Sequence, residues 1–113
     1  MELPLQITFR GLAHSAALDA LIRERAGRLE KFHPHLLSCR VVIELAGRHQ
    51  HQGKHFVARL VLKVPGDEIA VDRQHDEDPQ VAVRDAFDAA RRMLEDQLAL
   101  LRKRRSAGAS SPS

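Results

Sequence analysis

The chain has 113 residues, of which 43% are hydrophobic and 29% charged, and its formal net charge is +3. This length allows one domain with a single core, and the composition excludes a wholly disordered chain. No stretch approaches the roughly 20 apolar residues of a membrane helix, and the first residues lack the pattern of a secretory signal. The one cysteine, Cys39, cannot form an internal disulfide, so we expect a reduced, cytoplasmic setting.

The first strand and helix are marked by two different hydrophobic periods. Apolar and polar side chains alternate over residues 4–10, which predicts a half-buried strand. Apolar residues then recur at three- and four-residue spacing over residues 16–32, which predicts an amphipathic helix. Ser15 is suited to the N-cap of this helix, and Pro34 disfavours helical geometry at the residue before it.

Three further strands are predicted in the middle of the chain. Residues 38–46 and 55–64 both alternate, and the polar loop between them indicates a hairpin. The sequence Val-Pro-Gly-Asp at 64–67 is typical of a type II turn, because proline presets φ and glycine supplies a positive φ. A short fourth strand is predicted over residues 68–74.

The second helix is predicted over residues 79–103. Asp78 is suited to its N-cap and Pro79 to its first position. Its apolar stripe ends at Leu101, and residues 106–113 offer nothing apolar beyond alanine, so we expect a disordered C-terminal tail. One α+β domain would then cover residues 1–105.

The order strand, helix, three strands, helix predicts an α+β two-layer sandwich. Its four-stranded sheet would be mixed, since a helical crossover favours a parallel first pair and hairpins give antiparallel pairs. Both helices would cover the same face of the sheet.

Signatures of an enzyme are scarce, and the sequence predicts neither catalytic residues nor a cofactor nor a small-molecule substrate. His49, His51 and His55 have the spacing HxHxxxH, which could bring imidazoles together on a metal. A metal-free polar loop is the favoured interpretation, because no carboxylate or thiolate accompanies them. Cys39 lies on the apolar face of its strand, where it is expected to act as a small hydrophobe.

Basic side chains along the two helices suggest an RNA-binding surface. On the second helix, three arginines fall within about 20° of one another at 100° per residue, and the helix ends in a basic run. Such residues could contact phosphates, although i,i+4 ion pairs along a solvated helix explain them equally well. The candidate RNA-binding residues are Arg25, Arg28, Lys31, Arg84, Arg91, Arg92 and Arg102.

Three segments resemble the ribosome hibernation-promoting factor and ribosome-associated inhibitor family. They are RAGRLEKF at 25–32, SCRVVIEL at 38–45 and HDEDPQVAVRDAFDAARRMLEDQL at 75–98. The resemblance covers about residues 5–105 and is to the short members, which lack a C-terminal dimerisation domain.

The resemblance implies a non-enzymatic factor that binds the small ribosomal subunit near the decoding channel. Such a factor blocks the path of messenger and transfer RNA in starved or stationary cells, and some members promote ribosome dimers. Family basic positions match Arg25, Arg28 and Lys31 on the first helix and Arg92 on the second. Where the family often carries lysine, this chain has alanine at position 89 and aspartate at position 96.

A second hypothesis from the sequence is a protein–protein interaction module. The outer face of the predicted sheet carries Val42, Val57 and Val61 among basic residues. A small apolar patch of this kind could seat a weak homodimer without any ribosome, although scattered surface valines are common.

Overall fold

Four strands form one mixed sheet whose register follows from the alternation of apolar side chains. The structure is a computed structural model that describes residues 3–46 and 55–109, without the side chains of residues 73–75 and 106–109. The order along the chain is β1 (Leu5–Arg10), α1 (Ala16–Phe32), β2 (Ser38–Ala46), β3 (His55–Val64), β4 (Asp67–Asp76) and α2 (Pro79–Ala109).

The strands lie in the order β1-β2-β3-β4, with β1 parallel to β2 and the other pairs antiparallel. Both helices lie on one face of this sheet, where α1 contacts β1 and α2, and α2 packs over β3 and β4. The predicted α+β two-layer sandwich and its mixed four-stranded sheet are therefore confirmed.

The ends of α1 are set by local hydrogen bonds that the sequence predicts. The Ser15 hydroxyl accepts a hydrogen bond from the backbone N–H of Leu18 at 3.2 Å, which satisfies one of the unpaired donors of the first turn. At the other end the backbone N–H of His33 donates to the Leu29 carbonyl at 2.8 Å. His33 leaves helical geometry there, as the following Pro34 requires.

The fourth strand is longer than predicted, and its pairing with β3 contains a β-bulge. Ala58 pairs with Gln74, but Leu60 pairs with Val71, so β4 carries one extra residue between the two pairs. The ladder continues to Asp76, beyond the predicted end at residue 74. The turn before this strand has Gly66 at φ +78°, the left-handed geometry that favours glycine.

The second helix also extends beyond its prediction. Asp78 caps its first turn as expected, since its carboxylate accepts from the backbone N–H of Gln80 at 2.8 Å. Its C-terminal end is at Ala109 rather than near residue 103. Residues 102–105 are arginine and lysine, whose high helix propensity favours continuation of the helix beyond its apolar stripe. Residues 110–113 lie outside the described residues.

The core is the layer between the sheet and the two helices. Its largest fully buried side chains include Ile22 of α1, Ile43 of β2, Leu60 and Leu62 of β3, and Leu94 of α2. After Leu94, no residue of α2 up to position 105 is buried. The C-terminal part of α2 therefore projects beyond the sheet.

We expect Leu60→Ala to lower the free energy of unfolding by about 2–5 kcal/mol, because it removes buried methyl groups from a closely packed site. Urea denaturation of the purified protein measures this as a lower transition midpoint. Leu100→Ala is the matched control, since Leu100 is 49% exposed, and it should shift stability by less than about 0.5 kcal/mol. Equal losses for both variants would contradict the assigned core.

Candidate nucleic-acid interface

Basic side chains of α1 flank the stripe that the helix buries. Ala26 and Leu29 lie in that stripe, and Arg25 and Arg28 each precede one of them by one residue. Because successive residues differ by about 100° around a helix, both arginines lie at the edge of the buried face. They are held there by the packing of the apolar stripe on the sheet.

The two helices meet in a small cleft that arginines line from both sides. Its volume is about 60 Å³. The residues that line this interhelical cleft are Arg25, Arg28 and Leu29 of α1 and Phe87, Asp88 and Arg91 of α2. Three guanidinium groups and one carboxylate thus line the cleft.

Arg91 of α2 contacts an aromatic ring of α1. Its guanidinium carbon lies 4.7 Å from the centre of the Phe32 ring, a cation–π contact worth about 0.5–1 kcal/mol at an exposed site. The same side chain forms an ion pair with Glu95 at 3.3 Å, one turn further along α2. Arg91 is therefore held beside the cleft by one contact on each helix.

The ion pairs of the cleft arginines are weak. Arg28 pairs with Glu24 at 2.9 Å, and both this pair and Arg91–Glu95 join exposed side chains in i,i+4 positions. Such pairs contribute only about 0.3–0.5 kcal/mol. A phosphate can replace either carboxylate at little cost, so these pairs leave both arginines available to an anionic partner.

Arg25 lies deepest of the three. It is half-buried, and its Nε is buried without a hydrogen-bond partner. An unsatisfied buried donor costs about 1–3 kcal/mol. This atom is a specific feature of the cleft that the sequence does not show.

The other four predicted residues lie outside the cleft. Lys31, Arg84, Arg92 and Arg102 are all exposed, and none forms an ion pair with a described residue. By helical spacing, Arg84 is on the same side of α2 as Arg91, and Lys31 is about 60° from Arg28 around α1. Arg92 projects from a different side of α2, and Arg102 lines a second cavity at the far end of that helix.

Two phenylalanines contribute to the site in a way that hydrophobic periodicity does not predict. Phe32 contacts Arg91, and Phe87 lines the cleft. Hydrophobic periodicity identifies the apolar stripe of a helix. It does not show on which side of that stripe a neighbouring helix lies. The i,i+4 spacing of Arg91 and Glu95 is visible in the sequence and does predict their ion pair.

The metal hypothesis is only partly testable, since His49 and His51 lie outside the described residues. Within residues 3–46 and 55–109, no group of three or more His, Cys, Asp or Glu side chains could hold a metal ion.

Across the same ranges, no helix combines the length and apolar character that crossing a membrane requires.

The outer face of the sheet has a different character. Arg59 forms ion pairs with acidic residues of both neighbouring strands. Its Nη1 lies 3.3 Å from Glu44 Oε1, and its Nε lies 3.0 Å from Asp72 Oδ1. Of the valines on this face, Val57 is buried and Val42 is half-buried. The exposed apolar patch that a homodimer would use is therefore small.

Comparison with solved structures supports the fold. A ribosomal subunit interface protein from Coxiella burnetii superposes with a TM-score of 0.74 at 16% identity, covering 86% of this chain and 99% of its own. The N-terminal domain of Protein Y from Thermus thermophilus superposes with a TM-score of 0.69 at 22% identity, covering 85% of this chain and 98% of its own. No curated protein sequence matches the chain.

The fold and the cleft together define a small α+β protein with a basic helix layer. The family model described as sigma 54 modulation protein / S30EA ribosomal protein matches residues 5–102. The chain belongs to this family, and the family resemblance seen in the sequence is confirmed.

Cys39 provides a test of the buried face of the sheet. Burial raises the pKa of its thiol to about 12, because the thiolate is disfavoured away from water. The nucleophile is the thiolate, so we expect no reaction with iodoacetamide at pH 8 in the folded protein and full reaction in urea. Mass spectrometry measures the modified fraction, and rapid labelling of the folded chain would contradict the assigned burial.

Proposed function

We propose that this protein binds the small ribosomal subunit through its helix layer and holds it in a translationally inactive state. Membership in the S30EA ribosomal protein family and the likeness to a ribosomal subunit interface protein support a ribosome-associated role. The observation that carries the proposal is the interhelical cleft, where Arg25, Arg28 and Arg91 converge from two helices. The proposed role requires no catalysis and no cofactor.

Ribosomal RNA phosphates are the partners that this surface fits best. Arginine and lysine neutralise phosphates and release counterions, which supplies sequence-independent affinity. The surface offers no aromatic platform for bases, since Phe32 is covered by Arg91 and Phe87 is buried. Recognition would therefore depend on the shape of folded RNA and its phosphates rather than on stacked bases.

Inhibition would follow from occupancy. A domain seated near the decoding channel would block the path of messenger and transfer RNA, and its removal would restore translation without any chemical step. We expect the protein to act in the cytoplasm of starved or stationary cells. The surface residues proposed for RNA contact are Arg25, Arg28, Lys31, Arg84, Arg91, Arg92 and Arg102.

Co-sedimentation with purified small subunits across a salt series tests this proposal. The wild-type protein should bind at low salt, with an affinity that falls as salt rises. Replacing both Arg28 and Lys31 by alanine should weaken binding and reduce the salt slope by about two, one for each lost phosphate contact. Absence of binding to small subunits at low salt would contradict the proposal.

The control variant replaces Arg40 and Lys63 by alanine. These residues are exposed on the outer face of the sheet, away from the helices, and the substitution removes the same net charge. Binding close to the wild-type level would show that position matters and not total charge. An equal loss in the control would contradict the assignment of the helix layer.

The homodimer hypothesis is tested separately by light scattering over a range of protein concentrations. Because Val57 is buried and Arg59 is engaged in two ion pairs, we expect a monomer in the absence of ribosomes. A stable dimer that does not bind small subunits would favour an interaction module instead.

A further inference from the structure

The two edges of the sheet differ in how well they are protected against a further strand. β4 forms one edge, where a β-bulge and the exposed charges of Glu68 and Asp72 oppose strand addition. β1 forms the other edge and pairs with β2 in unbroken register over its whole length. Residues 5–9 include no charged residue, glycine or proline. The β1 edge therefore lacks the features that protect β4.

The outer side of β1 presents a row of backbone hydrogen-bonding groups. The Pro4 carbonyl accepts from the Cys39 N–H at 3.0 Å, which fixes the phase of the parallel ladder. Alternate residues of a strand turn their backbone groups to the same neighbour, so every second residue of β1 bonds to β2. The residues whose N–H and C=O groups point the other way are Leu5, Ile7 and Phe9. No described residue pairs with these groups, which together form the open edge of β1.

The apolar layer beneath the sheet is incomplete at this edge. Ile7 is opposite Val41 and Phe9 is opposite Ile43 in the register of β1 and β2. Val41 and Ile43 are fully buried, whereas Ile7 and Phe9 are only half-buried. Side chains opposite one another on paired strands lie on the same face and in contact. Apolar residues of an added strand would therefore cover Ile7 and Phe9.

The outer face of the sheet is basic beside the same edge. Arg10 lies at the end of β1, and Arg40 of β2 is opposite Gln6. Both arginines are exposed, and neither forms an ion pair with a described residue. Glu44, which is opposite Arg10, is paired with Arg59 of β3 at 3.3 Å. Positions 6 and 10 are roughly 13 Å apart along the strand, so an added strand would meet one cation near each end.

A shallow recess at the start of β1 lies next to one of these cations. Its volume is about 270 Å³, and Gln6 and Arg40 are among the residues that line it. It could hold one acidic side chain of an added strand beside the Arg40 guanidinium.

We propose that the open edge of β1 binds an extended, acidic segment of another protein by β-strand addition. The segment is antiparallel to β1, since antiparallel pairing is the more stable per residue. Its pattern is acidic, apolar, any residue, apolar, acidic. The apolar side chains pack on Ile7 and Phe9, and the carboxylates meet Arg10 and Arg40. Main-chain hydrogen bonds supply affinity and the alternate side chains supply specificity.

A second copy of this chain fits the open edge less well. An antiparallel pair of β1 strands centred on Ile7 would bring Arg10 of each copy to the end that carries Arg40 in the other. Like charges at this range oppose pairing, so the charges favour an acidic partner. None of the residues proposed for RNA contact lies on this edge, and the inference does not rest on ribosome binding.

Nuclear magnetic resonance of the full-length, isotope-labelled protein tests the proposal without ribosomes. The probe is a peptide with blocked ends and the sequence Thr-Asp-Val-Thr-Val-Asp-Thr. In the free protein we expect fast hydrogen exchange at the amides of Leu5, Ile7 and Phe9, because nothing pairs with them. Addition of the peptide should shift the β1 signals and slow exchange at Ile7 and Phe9.

Two control peptides separate the two kinds of contact. N-methylation of both valines removes the N–H donors that face β1 and leaves the charge unchanged. Replacement of both aspartates by lysine leaves the backbone unchanged and reverses the charge. Each control should bind about tenfold more weakly than the probe or worse.

A charge reversal in the protein locates the site. Arg10→Glu replaces an attraction by a repulsion and should weaken binding of the probe about tenfold. Lys103→Glu is the matched control, since it makes the same change of charge at an exposed residue of α2, which packs over β3 and β4. It should bind the probe as the wild type does.

The proposal is overturned if the probe leaves the β1 signals unchanged, if either control peptide binds as tightly, or if the two variants lose affinity equally. It is also overturned if the β1 amides become protected when the free protein is concentrated, because a second copy would then occupy the edge. Should Arg10→Glu fail to fold, the control peptides on the unaltered protein still decide.

Discussion

The fold depends on one shared apolar surface, the face of the sheet that both helices must cover. Fully buried side chains of four elements meet on it, among them Ile22, Ile43, Leu60 and Leu94. Burial of apolar area is the main favourable term in folding, and each helix has only one stripe with which to achieve it. The two helices are therefore forced side by side, and the residues that flank their stripes are brought together. The arginine-lined cleft is a consequence of this packing.

Much of the architecture could be predicted because local signals agreed with the tertiary arrangement. Ser15 and Pro34 bracket α1, and alternation alone gives the bounds of β2 and β3. The extra residue in β4 could not be predicted, since a bulge depends on the pairing of two strands. The continuation of α2 to Ala109 could not be predicted from the apolar stripe of the helix, which ends at Leu101.

Less of the candidate site than of the fold could be predicted from the sequence. Helical spacing shows that Arg91 lies next to the apolar stripe. It does not show that Arg25 and Arg28 lie opposite Arg91 across a cleft. The same spacing places Arg102 on the side of α2 that carries Arg91. The two residues are nonetheless 11 positions apart, which at about 1.5 Å per residue is roughly 16 Å along the helix. Arg102 lines the second cavity, at the far end of α2. Which side of a helix faces its neighbour is decided by packing, which no single segment encodes.

A cryo-electron microscopy reconstruction of the protein on the small ribosomal subunit tests the central claim most directly. The account predicts ribosomal RNA phosphates within about 4 Å of the Arg25, Arg28 and Arg91 guanidiniums, the reach of an ion pair, with the outer face of the sheet turned away from the RNA. A complex in which the outer face contacts the RNA and the interhelical cleft faces solvent would contradict it.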